Sequence, residues 1–293
     1  MTTTSPIVVG VDGSDSALHA VRWAAREAEL RNAPLRLVHV CTVVPPGYVN
    51  LPGHGEVLVD RCRQWLRQAA DAARAVADPV EIVTELRAGV IAKGLIEESA
   101  GARMVVLGSR GLGGFTELLV GPIAVTVAAH AHSPVVVVRP PGTRTPPVGT
   151  GPVVVGVDGS PTSEAAVAFA FEAAALRGVP LLAVHTWLDV DYTGAWIALP
   201  SLVDWAAVRA DAQRLLAERL TAWQEKFPTV EVHRIVEQDR PARALLAHAK
   251  DAQLIVVGSR GRGAWTGLGL GSVSHTLLHH APCPVAVVRP EQS

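Results

Sequence analysis

Two stretches of this 293-residue chain are copies of one another. Val8-Val-Gly-Val-Asp12-Gly-Ser14 returns unchanged as Val154-Val-Gly-Val-Asp158-Gly-Ser160, and Pro134-Val-Val-Val-Val-Arg139-Pro140 returns as Pro284-Val-Ala-Val-Val-Arg289-Pro290. The first pair is offset by 146 residues and the second by 150, so the later copy has gained four residues in between. A repeat of this period is a whole folding unit, and the length accommodates two of about 150 residues. The stretch Pro140 to Gly151, rich in proline and glycine, can continue neither a helix nor a central strand. The expected layout is domain one over 1–141, a linker over 142–151 and domain two over 152–293.

Within the first copy, apolar runs predict strands at about 6–12, 34–41, 79–86, 103–109 and 133–139. Helical patterns lie between them, for example Ala17 to Leu30 with Ser14 or Ser16 as N-cap. The second copy repeats the order. Strands alternating with helices give an α/β fold: two tandem doubly wound, five-stranded parallel-sheet (Rossmann-like) domains with helices on both faces. Aromatics at only 4% against 49% hydrophobic residues fit a core of buried Val, Ile and Leu strands. Ligands in such sheets sit beyond the carboxyl ends of the strands, at the topological switch point. Asp12 and Asp158 fall at such an end.

The fourth strand of each copy ends in a glycine loop. Gly108-Ser-Arg-Gly111 is followed after nine residues by Gly121-Pro122, and Gly258-Ser-Arg-Gly261 after nine by Gly271-Ser272. A glycine turn between a strand and a helix N-terminus gathers backbone N–H groups, and the helix end adds partial positive charge. That chemistry fits a phosphate. The P-loop is excluded because neither copy has its lysine, and the dinucleotide fingerprint fails because Thr116 and Thr266 stand where its last glycine belongs. A tight connection with no ligand is the bland alternative.

Charge is balanced at 26 basic and 27 acidic residues, so nothing points to nucleic acid or an anionic membrane. Cys41, Cys62 and Cys283 lie far apart with no CxxC pair, which speaks against a disulfide framework or structural zinc. No apolar run reaches the length of a membrane span, and the N-terminus lacks the basic region of a signal peptide. The cytoplasm is the expected location.

The strand Val-Gly-Val-Asp-Gly-Ser, a histidine near the end of strand two (His39, His185), Val-Val-Gly-Ser-Arg-Gly in domain two, then Gly-Ser and Cys-Pro-Val-Ala-Val-Val together resemble the universal stress protein family in its tandem-domain form. The resemblance covers nearly everything outside the tails and linker, and it implies membership of the ATP-binding branch. There the loop holds phosphates and ribose, and the strand-one aspartate lies beside the nucleotide. The implied ligand is therefore ATP, with Mg2+ as a companion. Carried over, the motif names Asp158, Gly258, Gly261, Gly271 and Ser272 in domain two, and Asp12, Gly108, Gly111 and Gly121 in domain one. Pro122 stands where the family has Ser or Thr, which removes a hydroxyl and an N–H that a phosphate would meet. Domain two is thus the expected stronger site.

Other residues carry two readings. Asp12 and Asp158 orient a ribose hydroxyl or Mg2+, or simply hold the Asp-Gly-Ser turn. His39 and His185 touch adenine, or are packed histidines. Arg110 and Arg260 meet phosphate oxygens, or are solvated loop side chains. His275 and His279, four apart beside His280, have metal spacing but no evident third ligand. No nucleophile–base pattern stands out, so a regulatory, stress-response ATP-binding protein with slow or no hydrolysis is favoured. The alternative is an enzyme acting at nucleotide phosphates, an ATPase or nucleotidyl transferase. The last strands, Val135 to Val138 and Val285 to Val288, should pair across the domain interface, as the resemblance implies and an apolar edge invites, with a further homodimer expected. The segment Trp187 to Trp205, with Tyr192 and Trp196, is either packing or a flap beside the nucleotide.

Overall fold

The computed structural model describes residues 4–42, 54–111, 120–140, 151–187, 204–261 and 269–290. Domain one runs β1 (Ile7–Gly10), α1 (Asp15–Arg31), β2 (Leu35–Cys41), α2 (His54–Arg74), β3 (Ile82–Ala88), α3 (Ile91–Ser99), β4 (Met104–Gly108), α4 (Pro122–His130) and β5 (Val135–Val138). Domain two repeats it as β6 (Val153–Gly156), α5 (Pro161–Arg177), β7 (Leu181–Thr186), α6 (Trp205–Lys226), β8 (Val232–Glu237), α7 (Pro241–His248), β9 (Leu254–Gly258), α8 (Ser272–His280) and β10 (Val285–Val288). The third strand pairs from Ile82 rather than from Pro79, whose ring nitrogen has no hydrogen to give a ladder. The linker stretch 141–150 lies outside the described residues.

Local chemistry sets the first helix of each domain. Ser14 caps α1 by accepting from the Ala17 N–H at 3.1 Å, and Ser160 caps α5 by accepting from the Ser163 N–H at 3.2 Å. The helices stop at left-handed residues, Asn32 at φ 47° and Gly178 at φ 62°. Small buried residues along α1, such as Ala20, Ala24 and Ala28, let the helix lie close on the strands.

The ten strands form one sheet in the order β3-β2-β1-β4-β5-β10-β9-β6-β7-β8. Pairing is parallel within each domain. It is antiparallel at the junction, where Val136 sits opposite Ala286 and both are fully buried. The expected edge-to-edge docking of the last strands is what joins the domains. Alternate strand residues feed two apolar layers: Ile7 and Val9 face the layer of α1, α2, α5 and α6, while Val8 faces that of α3, α4, α7 and α8. Each layer runs across both domains. In each half-sheet the chain winds outward from the first strand and returns to the fourth, so the switch point lies between β1 and β4, and between β6 and β9.

A buried ion cluster also ties the domains together on the α1–α5 side. Glu27 and Arg31 of α1 pair at 2.5 Å, Arg177 of α5 reaches Glu27, and Arg31 and Arg103 hold Glu172 of α5 at 2.8 and 2.7 Å. Burial alone would raise the Glu172 pKa, but the two guanidiniums overcome it and hold the carboxyl below its ordinary value.

Candidate functional site

Both switch points carry the same arrangement. After β1 the chain turns through Gly13, whose φ of 84° is left-handed, and Gly159 at φ 79° does the same after β6. Each turn is pinned by the aspartate before it. Asp12 Oδ1 accepts from the Ser14 N–H at 3.0 Å and from its hydroxyl at 2.6 Å, and Asp158 Oδ1 accepts from the Ser160 N–H at 2.9 Å. The turn reading of these aspartates therefore holds for Oδ1, while Oδ2 faces the glycine loop.

The loop glycines divide the work. A Cβ on Gly108 would fall 2.7–2.8 Å from Ser16 in the first turn of α1, and one on Gly258 would fall 2.8–2.9 Å from Thr162 in α5. These first glycines let the loop press against the neighbouring helix; ligand approach is not what demands them. A Cβ on Gly111 or Gly261 would stand 2.6 Å from Oδ2 of Asp12 or Asp158. The second glycines make room for the aspartate. Gly121 and Gly271 close each loop by donating their N–H to Ser109 and Ser259 at 2.8 Å.

Gly121 and Gly271 are also the N-caps of α4 and α8, and neither helix has a side chain capping its start. That contrasts with the serine-capped α1 and α5. An uncapped helix start leaves N–H groups for an anion, and it does so beside the aspartate and the loop. Pro122 is the first residue of α4, so one of those N–H groups is absent; Ser272 keeps it and adds a hydroxyl.

Arg110 and Arg260 lie exposed on their loops. Each has a second guanidinium near it that the sequence showed only as part of a strand motif. Burial first, and then Arg110, lowers the pKa of Arg139; burial and Arg260 do the same to Arg289. Arg139 also donates to the Leu278 and His279 carbonyls at the end of α8, the latter at 2.5 Å. It thereby ties the end of β5 in one domain to a helix of the other.

His39 and His185 are buried, and their Nδ1 atoms lie 2.6 and 2.7 Å from the carbonyls of Val11 and Val157. A carbonyl only accepts, so each Nδ1 carries its hydrogen. In domain one, Asp12, His39, Gly108, Gly111 and Gly121 line one cavity of about 850 Å³. Sequence reasoning missed three of its other walls. Trp65 of α2 packs its ring over Gly13 and meets His39 edge-on at 5.3 Å. Cys41 and Cys62 also line it, their sulfurs 2.8 Å apart, so two of the three separated cysteines meet after all. Burial, with Cys62 beside it, pushes the Cys41 thiol up to about 12. Of the aromatic segment, 188–203 lies outside the described residues, Tyr192 and Trp196 included; Trp187 and Trp205 have their rings 5.4 Å apart.

A tandem of two doubly wound domains joined through their last strands, each with a glycine loop at its switch point, defines a narrow class of proteins. The profile described as the universal stress protein family matches residues 3–139 and 150–289. Universal stress protein Rv2623 of Mycobacterium tuberculosis (strain H37Rv) is 40% identical, covering 97% of this chain and 96% of its own. Universal stress protein Rv2005c of the same strain is 42% identical with the same coverage. The crystal structure of a universal stress protein from Archaeoglobus fulgidus superposes with a TM-score of 0.73 at 21% identity, over 99% of this chain and 98% of that one, and so shares the fold. The chain belongs to the universal stress protein family, in its tandem form. Among the described residues no helix is long and apolar enough to cross a membrane.

Proposed function

We propose that this protein binds ATP at two sites, one per domain, and acts as a nucleotide-dependent regulatory protein with slow or no hydrolysis. The observation that carries this reading is the repeated convergence, at each switch point, of an uncapped helix start, a glycine loop and an aspartate beside the loop's second glycine. Phosphates suit the helix start and the loop, with Arg110 or Arg260 at the rim; Asp12 and Asp158 suit a ribose hydroxyl or the Mg2+ that accompanies the phosphates. The domain-one cavity falls within the range of about 300–1,000 Å³ that small-molecule ligands occupy. Loop chemistry ranks the two domains. Affinity for a triphosphate rests on charge-assisted bonds more than on space, so domain two, with Ser272, is the tighter site. Mass spectrometry of ligand released from denatured protein should find ATP, and calorimetry with ATP should show binding that Gly261→Val abolishes in domain two. Protein that neither carries nor binds ATP would overturn the reading. The competing reading, an enzyme acting at nucleotide phosphates, requires bound ATP to turn over within minutes; intact ATP after hours excludes it.

Both last-strand edges are consumed inside the chain, so the further homodimer we propose must use another surface. Light scattering of the full chain gives its mass directly.

A further inference from the structure

His39, Cys41 and Cys62 each bring a ligand atom to within 4.8 Å of the others, on the wall of the domain-one cavity. We propose that these three side chains form a binding site for a thiophilic d10 cation of the Zn2+ class, with its fourth position open to the cavity.

Two thiolates and one neutral imidazole are a donor set such cations select, and three protein ligands plus one exogenous ligand is the pattern of an open zinc site. The His39 Nδ1 hydrogen bond to the Val11 carbonyl, 2.6 Å long, leaves Nε2 as the ligand atom. A backbone carbonyl on the other ring nitrogen is the usual way a metal-binding histidine is oriented. Charge balances: the thiols release two protons to solvent, and two thiolates neutralise the ion. Bonds of about 2.3 Å to each sulfur in tetrahedral geometry separate the sulfurs by about 3.8 Å. They stand 2.8 Å apart, so binding requires them to part by about an ångström through rotation at χ1 of Cys41 or Cys62. A disulfide would use the same two sulfurs, so it is the competing outcome that the test must separate.

The fold does not require the pair. Domain two keeps His185 at the equivalent place but has Trp187 where domain one has Cys41. Cys62 precedes the buried Leu66 by four residues, just as the buried Ala212 precedes Leu216. Cys62→Ala therefore puts into α2 a residue that α6 already packs.

The site is tested on the full-length, tag-free, reduced protein with ZnCl2 as probe and no nucleotide, so the outcome is independent of the ATP reading. Calorimetry should give one ion per chain at submicromolar Kd. Cys62→Ala and Cys41→Ser should each weaken binding more than about a hundredfold, while Cys283→Ser, remote from the cavity, leaves it unchanged. Co2+ should give a thiolate charge-transfer band, and Zn2+ should protect Cys41 and Cys62 from alkylation. No binding at about 10 μM zinc would overturn the proposal. So would an ion retained equally by Cys62→Ala, for instance at His275 and His279, or a Cys41–Cys62 disulfide that forms even with zinc supplied.

Discussion

At the residue scale, the two glycine loops differ at the first residue of the helix that follows each of them. Pro122 lacks the N–H and hydroxyl that Ser272 offers at the same helix start. A hydrogen bond to a charged group is worth roughly 1.5–3 kcal/mol, about tenfold or more in affinity. Pro122→Ser should therefore raise ATP affinity in domain one by about tenfold, measured calorimetrically with the domain-two site removed by Gly261→Val. Gly261→Val drives a side chain into Asp158, and Gly111→Val does the same to Asp12. The domain-two change should remove most of the total ATP binding and the domain-one change much less. Equal losses would refute the ranking. The loops and their aspartates were legible in the sequence, because they repeat at fixed spacing. The separate duties of the glycines were not: that Gly108 yields to Ser16 depends on how closely α1 and the loop are packed. Cys41 and Cys62 were hidden for a similar reason, since one ends a strand and the other lies on the next helix, and only packing brings them together.

At the scale of elements, the four-residue strands β5 and β10 carry the domain junction. Both read as continuous apolar runs, so their burial and pairing were foreseeable; an unpaired edge of this kind is a hazard that intrachain docking removes. Lysine at Val136 would place a charge in a fully buried position opposite Ala286. Val136→Lys should loosen docking, seen as faster proteolysis and a larger hydrodynamic radius, with each half retaining its helical signal. Unchanged proteolysis and radius would mean that other contacts suffice. The candidates for such contacts are on the α1–α5 side, where charged pairs 150 residues apart in sequence gave no signal before the fold placed them together.

For the whole molecule, those pairs make stability depend on pH and on single carboxylates. Glu27 is 2% exposed between Arg31 and Arg177, and Glu27→Ala would leave the buried Arg177 without a carboxylate and Arg31 with Glu172 alone. Breaking a buried pair costs about 3–5 kcal/mol, which chemical denaturation would register as a lowered midpoint. Glu172 has its pKa depressed below 4.5, so it stabilises the folded chain above that pH and loses the contribution as pH falls through the lowered value. Glu172→Gln should flatten stability in that acidic window and leave its slope near neutrality unchanged.

The antiparallel seam has a geometric consequence. Strands on one side of it point opposite to those on the other, so the carboxyl ends of the two half-sheets lie at opposite rims of the molecule. Whatever occupies the two crevices is back to back, unable to touch or to share a single cover. A partner that grips one rim leaves the other accessible, and the chain can be held from both ends at once. Any message between the crevices must cross the domain junction, through the strand seam or the α1–α5 ion cluster. Arg139, reaching from the rim of one crevice to the far end of α8 in the other domain, is one of the side chains that span this junction.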